Sequence, residues 1–343
     1  MIRLPETGLI RMWSHYSSCN MGGFWMRLNP SIKLGFLAIT LSFTAICATL
    51  TTSQTTLAAP DPASKAVYQQ FQIFSKNAVK STPSLIQARK YLLNHINEVS
   101  PWQATLMTLQ LENMQNIKLA DLDQKMVAEL FQSVLYEAHS SIGYEQKLTF
   151  SSLLKVIKDR TVRKLLQEAS DLGFKLETSE GIYYPIINYE TYKKFQPFVK
   201  PDIAAYIDIM AAESNHPTTS DAAFIITWDE LIRRTLEKEA FLNNFPNSNR
   251  TSAVKHSLYV GYLFYGSDNS PAYDWYTEEE IRTIDPEVKK AYEKAVANRE
   301  PNTKSVLLDT VDKILHLLDK SNDELTPEIK EITDHVESLF AND

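Results

Sequence analysis

The run Leu307-Leu308-Asp309-Thr310-Val311-Asp312-Lys313-Ile314-Leu315-His316-Leu317-Leu318 decides the fold class. Leu307, Val311, Ile314, Leu315 and Leu318 recur at i, i+4, i+7, i+8 and i+11, one face of a helix, where a strand would alternate. Ile225, Trp228, Ile232 and Leu236 repeat the pattern. Start signals agree. Thr82-Pro83, Lys200-Pro201-Asp202 and Thr326-Pro327-Glu328 put proline in a first helical turn, where its missing N–H costs nothing. Gly173 follows the periodic run 162–172 and suits a left-handed C-terminal cap. The spacing predicts helices over 62–79, 83–98, 101–116, 120–140, 150–158, 161–172, 189–196, 201–214, 220–244, 249–266, 286–298, 303–320 and 327–340. Only Phe174–Thr178 and Gly181–Pro185, flanking Ser179-Glu180, read as a short β-hairpin, near 174–185. The expected fold is all-α, a multi-helix bundle or helical-hairpin array with that one hairpin. It divides into a helical half 59–173, a connector 174–188 and a second half 189–343.

Working outward, the first 58 residues stand apart. Arg27 and Lys33 precede an uncharged apolar tract, Leu34 to Leu50, and Thr56-Leu57-Ala58-Ala59-Pro60 follows. A positive start, a short apolar run and small residues at the cut describe a secretory signal peptide, about 26–58, with cleavage expected after Ala58. Residues 1–25 do not fit such a leader, so Met26 or Met21 is the expected start. Two other readings stand beside cleavage. The tract could stay as a membrane anchor, although a span needs about 20 apolar residues. Alternatively, Cys47 in Thr44-Ala45-Ile46-Cys47 could be lipidated.

The full chain of 343 residues has 35 basic and 42 acidic side chains, a net charge of −7. Setting aside Arg3, Arg11, Arg27, Lys33 and Glu6 leaves 31 basic and 41 acidic residues in 59–343, net −10. Both cysteines, Cys19 and Cys47, fall in the leader, so the remainder has no disulfide, thiolate nucleophile or Cys-ligated zinc. An acidic balance argues against nucleic acid, which needs concentrated Lys and Arg. Five glycines remain after the leader, with neither G-x-G-x-x-G nor a Walker loop, which argues against the usual nucleotide folds. No cofactor is expected.

Candidate chemistry is sparse. The histidines form no H-E-x-x-H; Glu331 and His335 share a helix face at i, i+4, but two ligands do not make a metal site. No metal is expected. There is no G-x-S-x-G elbow. Aromatic residues crowd two stretches, Phe174–Tyr206 and Tyr259–Tyr276. Most should fill the core, but Tyr273, Trp275 and Tyr276, beside Asp274 in a loop-like stretch, are the candidate binding residues. Lys147, Lys155, Lys158, Arg160, Arg163 and Lys164 form a basic cluster in an acidic chain, read as a solvated helix face or a contact for an anionic partner.

Three resemblances follow from local sequence. Met210-Ala211-Ala212-Glu213-Ser214-Asn215-His216 resembles the catalytic motif of lytic transglycosylases, which cleave peptidoglycan; the resemblance makes Glu213 a general acid. Ala222–Trp228 stands where that family carries Gly-Leu-Met-Gln, and the plainer reading is a polar residue near a helix end. Phe241–Arg250, with Phe245-Pro246-Asn247-Ser248, resembles the inter-helix turn of tetratricopeptide-like envelope lipoproteins over one hairpin. Ser100–Ala104, Leu109–Asn113, Lys164–Ala169, Pro201–Met210 and Tyr265–Pro271 resemble an uncharacterised family of exported helical proteins of Gram-positive bacteria, which has no assigned activity. The leader, the helical pattern and the lack of a complete catalytic constellation make the expected protein a secreted or cell-envelope one that binds protein or cell-wall polymer without catalysis. It would meet membrane only through a retained leader or lipidated Cys47. The alternatives are a peptidoglycan-cleaving enzyme using Glu213 and a purely structural, self-associating helical protein.

Overall fold

The computed structural model describes residues 62–258, 260–275 and 281–336, all within one compact unit, Ala58–Asp343. The leader and residues 337–340 of the last expected helix lie outside the described residues. Thirteen α-helices and four two-stranded antiparallel sheets are present among the described residues, so the fold is all-α with small hairpins.

Helices α1 (Pro62–Ala78) and α2 (Thr82–His95) pack on each other and on α3 (Pro101–Met126). Ser100 and Gln103 form a reciprocal capping box at the start of α3, with Pro101 in the first turn. The expected break at 117–119 is absent: Ile117-Lys118-Leu119 holds no glycine or proline, and Leu122 and Met126 stay buried beyond it. Next come α4 (Glu129–Ile142), α5 (Phe150–Val156) and α6 (Arg160–Leu172). Gly173 ends α6 with φ 90°, the left-handed cap expected there.

The predicted hairpin is β1 (Phe174–Ser179) and β2 (Ile182–Ile187), pairing Phe174 with Ile187 and Ser179 with Ile182. Residues 189–195 form a 3₁₀-helix rather than the expected α-helix, and α7 (Pro201–Asn215) packs against it. The helix expected from 220 starts later, as α8 (Trp228–Asn244) capped by Thr227. Before it, β3 (Thr219–Ser220) and β4 (Ala223–Phe224) turn through Asp221 and Ala222, both at positive φ. Ile225 therefore lies outside the helical face and is exposed.

The single helix expected over 249–266 is split into α9 (Thr251–His256) and α10 (Val260–Tyr265). Between them the buried Lys238 ammonium donates to the Ser257 carbonyl at 2.6 Å. Two further small hairpins follow: β5 (Gly266–Ser267) with β6 (Ser270–Pro271), and β7 (Tyr273–Trp275) with β8 (Arg282–Ile284). The chain closes with α11 (Pro286–Ala297), α12 (Val306–Ser321) and α13 (Pro327–Val336). On α12 the five residues of the founding pattern are all buried.

Two apolar clusters form the core. The first gathers α1–α7 with the β1–β2 hairpin, whose Phe174, Leu176, Tyr183 and Ile187 belong to it. The second gathers α10–α13 with β7 and β8. Helix α8 contributes to both: Phe241 enters the first cluster and Ile232 the second. No helix among the described residues is long and apolar enough to cross a membrane.

Candidate functional site

Helix α3 buries a polar stripe, Thr105, Thr108, Glu112 and Gln115, spaced 3, 4 and 3 and so stacked on one face. Each long member finds partners from distant sequence. The Tyr189 and Tyr206 hydroxyls both donate to Glu112 Oε1 at 2.6 Å, and Arg250 Nη2 donates to Oε2 at 2.5 Å. Tyr192 donates to Gln115 Oε1, and Gln115 Nε2 donates to the Leu172 carbonyl at 2.6 Å. The Lys200 amide donates to Thr105 Oγ1 at 2.8 Å. The Arg250 guanidinium also lies over the Tyr206 ring, 5.3 Å from its centroid.

The electrostatics follow from burial. Glu112, Tyr189, Tyr192 and Tyr206 are all at most 5% exposed. Burial pushes the three phenols up, and the Glu112 carboxylate pushes them further, so they remain neutral donors. Burial is the largest single influence on Arg250 and lowers its pKa, but Glu112 together with the neighbouring Tyr206 and Tyr189 raises it overall. A buried carboxylate with three donors, one of them cationic, is compensated in place. The group ties α3, the 3₁₀-helix, α7 and the start of α9 together; its chemistry is positional.

Glu213, near the end of α7, is the sequence candidate for an acid catalyst. Its Oε1 accepts from the Thr218 amide at 2.9 Å. Its Oε2 accepts from the Thr218 hydroxyl at 3.0 Å and from Arg234 Nη1 at 3.3 Å. Arg234 is itself buried and holds the His216 carbonyl at 2.6 Å and Glu230 Oε1 at 2.8 Å. Hydrogen bonds from Arg233 lead in holding Glu230 down at about 2. Glu213 is therefore a strut closing the loop after α7 onto α8, about two-fifths exposed, with polar partners in place of an apolar pocket.

The chain matches no protein-family model, no curated protein and no solved structure.

The aromatic candidates separate. Tyr273 is 4% exposed and belongs to the second core, where burial pushes its phenol up. The side chain of Trp275, and Tyr276 entirely, lie outside the described residues. In the earlier aromatic stretch Phe174, Tyr183, Tyr189, Tyr192, Phe195 and Tyr206 are all core. Tyr265 in the second stretch is 37% exposed, and outside the two stretches Trp102, Tyr136 and Tyr144 are each more than half exposed. Tyr136 and Tyr144 approach with ring centroids 6.2 Å apart, and Tyr144 meets His139 edge-on at 4.7 Å. His139 Nδ1 bonds the Tyr183 hydroxyl at 2.9 Å, while its Nε2 is buried without a partner.

His335 Nδ1 meets the Glu331 backbone carbonyl at 2.7 Å. Among the described residues no three His, Cys, Asp or Glu side chains are grouped to hold a metal ion. A groove between α12 and α13 is lined by charged groups including Asp309, Lys313, Glu328 and Glu331. The basic cluster survives folding as a surface, except for Arg163, which turns inward to the Ile157 carbonyl at 2.7 Å and to that of Leu154. Sequence reading passed over the Glu112 group. Its only advance sign was the 3-4-3 polar spacing on α3, which a solvated helix face would share.

Proposed function

We propose that this is an exported protein that binds at the cell envelope without catalysis, its partner a protein or a cell-wall polymer. The leader pattern of residues 26–58 supports export. The observation that carries the non-catalytic reading is the state of the candidate acid: both Glu213 oxygens are occupied by Thr218 and Arg234. A general acid needs a raised pKa from an apolar setting and a free proton path to substrate. Glu112, the deeply buried carboxylate of the first core, is spent on three donors. Contact is assigned to aromatic side chains, with Trp275 and Tyr276 retained as candidates beside the buried Tyr273.

Sedimentation of residues 59–343 with isolated cell-wall sacculi, with released muropeptides followed in parallel, tests the reading. Pelleting without release is the expected outcome. Release that Glu213→Gln abolishes would instead establish the peptidoglycan-cleaving alternative.

A further inference from the structure

The corner between α5 and α6 is the strongest unexplained surface. Lys147, Lys155, Lys158, Arg160 and Lys164 are all exposed, and none of the five takes part in an ion pair among the described residues. Hydrogen bonds tie the corner: Arg163 holds the Leu154 and Ile157 carbonyls, and Asp159 caps α6 by accepting from the Val162 amide at 2.9 Å. That bond occupies the only acid within 147–164. The exposed residues of the first two turns of α6, Arg160, Thr161, Lys164 and Gln167, include no acid. In a chain of net charge −7 this concentration of unpaired cations marks a face for an anionic partner.

We propose that this corner docks the protein on an anionic lipid bilayer, a membrane contact additional to the leader and Cys47 routes to which sequence alone confined it. The inference rests on the envelope reading, which brings the chain to a membrane. Two observations favour a bilayer over a phosphate polymer. Four of the five free cations are lysines, point charges suited to the diffuse field of a headgroup layer; arginine forks suit discrete phosphates. Apolar side chains are also exposed: Val156 lies between Lys155 and Lys158, and Tyr144 stands three residues before Lys147, with one exposed acid, Glu145, between them. Tyrosine at the headgroup level beside lysines is the composition of a membrane–water interface.

Residues 58–343, the unit that holds both cores, would be sedimented at low salt with vesicles of equal phosphatidylglycerol and phosphatidylcholine, and with phosphatidylcholine alone. Binding is expected only to the anionic vesicles and is expected to be lost in high salt. Each removed lysine should weaken it about five-fold, so Lys155→Gln/Lys158→Gln/Lys164→Gln together should weaken it on the order of 100-fold. These side chains are exposed, so the variant should keep its thermal midpoint. Lys65→Gln/Lys80→Gln/Lys90→Gln removes the same charge from other exposed positions and should leave binding in place. Absence of anionic-vesicle binding, an unaffected corner variant, or equal loss in the control variant would each overturn the proposal. So would tighter binding to soluble poly(glycerol phosphate) that displaces the vesicles. If vesicle binding fails while sacculi still pellet the protein, this inference falls and the envelope reading stands; the converse result separates them the other way.

Discussion

Glu112 shows how one buried charge organises its surroundings. Its carboxylate replaces water with two phenols and a guanidinium, and among the described residues Arg250 alone forms an ion pair with it. Arg250→Met would leave an uncompensated carboxylate in the core. The expected loss is about 3 kcal/mol, the low end for a broken buried pair because Arg250 keeps 17% of its side chain exposed. Urea unfolding measures it. In a double-mutant cycle, Glu112→Gln/Arg250→Met should cost less than the sum of the single changes, because the stranded charge is gone. Strict additivity would mean that the two groups do not interact.

Helix ends and turns carry strain of opposite sign. Gly173 sits at φ 90°, and a Cβ there would stand 2.5 Å from Arg89 Nε and 2.6 Å from Gln115 Nε2. Gly173→Ala is expected to destabilise by more than about 1 kcal/mol, since backbone conformation and space both oppose it. At the β3–β4 turn Ala222 holds φ 60° without being glycine. Ala222→Gly should relieve that conformation and stabilise by about 0.5–1 kcal/mol, with thermal midpoints as the measurement. A lowered midpoint for Ala222→Gly would show that the strain relieved is smaller than the entropy that glycine adds to the unfolded chain. The same turn ties hairpin tips together: Asp221 Oδ1 accepts from the Ser179 hydroxyl and the Glu180 amide, both at 2.8 Å. The Asn269 amide donates to the Ala222 carbonyl at 3.0 Å.

Across the whole unit, α8 couples the two cores, with Leu242 packed against both. From the same helix, Glu239 reaches the start of α12, accepting from the Leu307 amide at 3.1 Å and from the Ser305 hydroxyl at 2.5 Å. The cores are therefore expected to unfold together. Residues 59–343 contain no cysteine, so dyes at Lys80→Cys and Lys320→Cys can report each core separately. Coincident urea midpoints are the expected result, and two resolved transitions would refute the coupling. Alkaline pH probes the same unit. Burial raises the phenol pKa of Tyr189, Tyr192, Tyr206 and Tyr292 in the folded state. Below about pH 10 both states keep these protons; above it the unfolded chain loses them and the folded chain does not. Stability should therefore fall as pH rises past about 10, by roughly 1.4 kcal/mol per pH unit for each tyrosine. A urea midpoint that stays flat through that range would contradict their burial.

The sequence by itself determined the helical class, most helix starts, the Gly173 cap and the β1–β2 hairpin, because periodicity, prolines and capping residues act within a few positions. Leu307 through Leu318 predicted its own burial. Only the tertiary structure decided what depends on distant partners. The helix expected over 249–266 parts into α9 and α10 where Lys238, from α8, holds the Ser257 carbonyl, and Asp221, held by the β1–β2 turn, helps to set a hairpin where 220–227 promised helix. The Glu112 group draws on Tyr189, Tyr206 and Arg250, up to 138 residues away. Whether a carboxylate on a helix faces water or two phenols and a guanidinium is a property of the packed chain, because local spacing records the face and not what covers it.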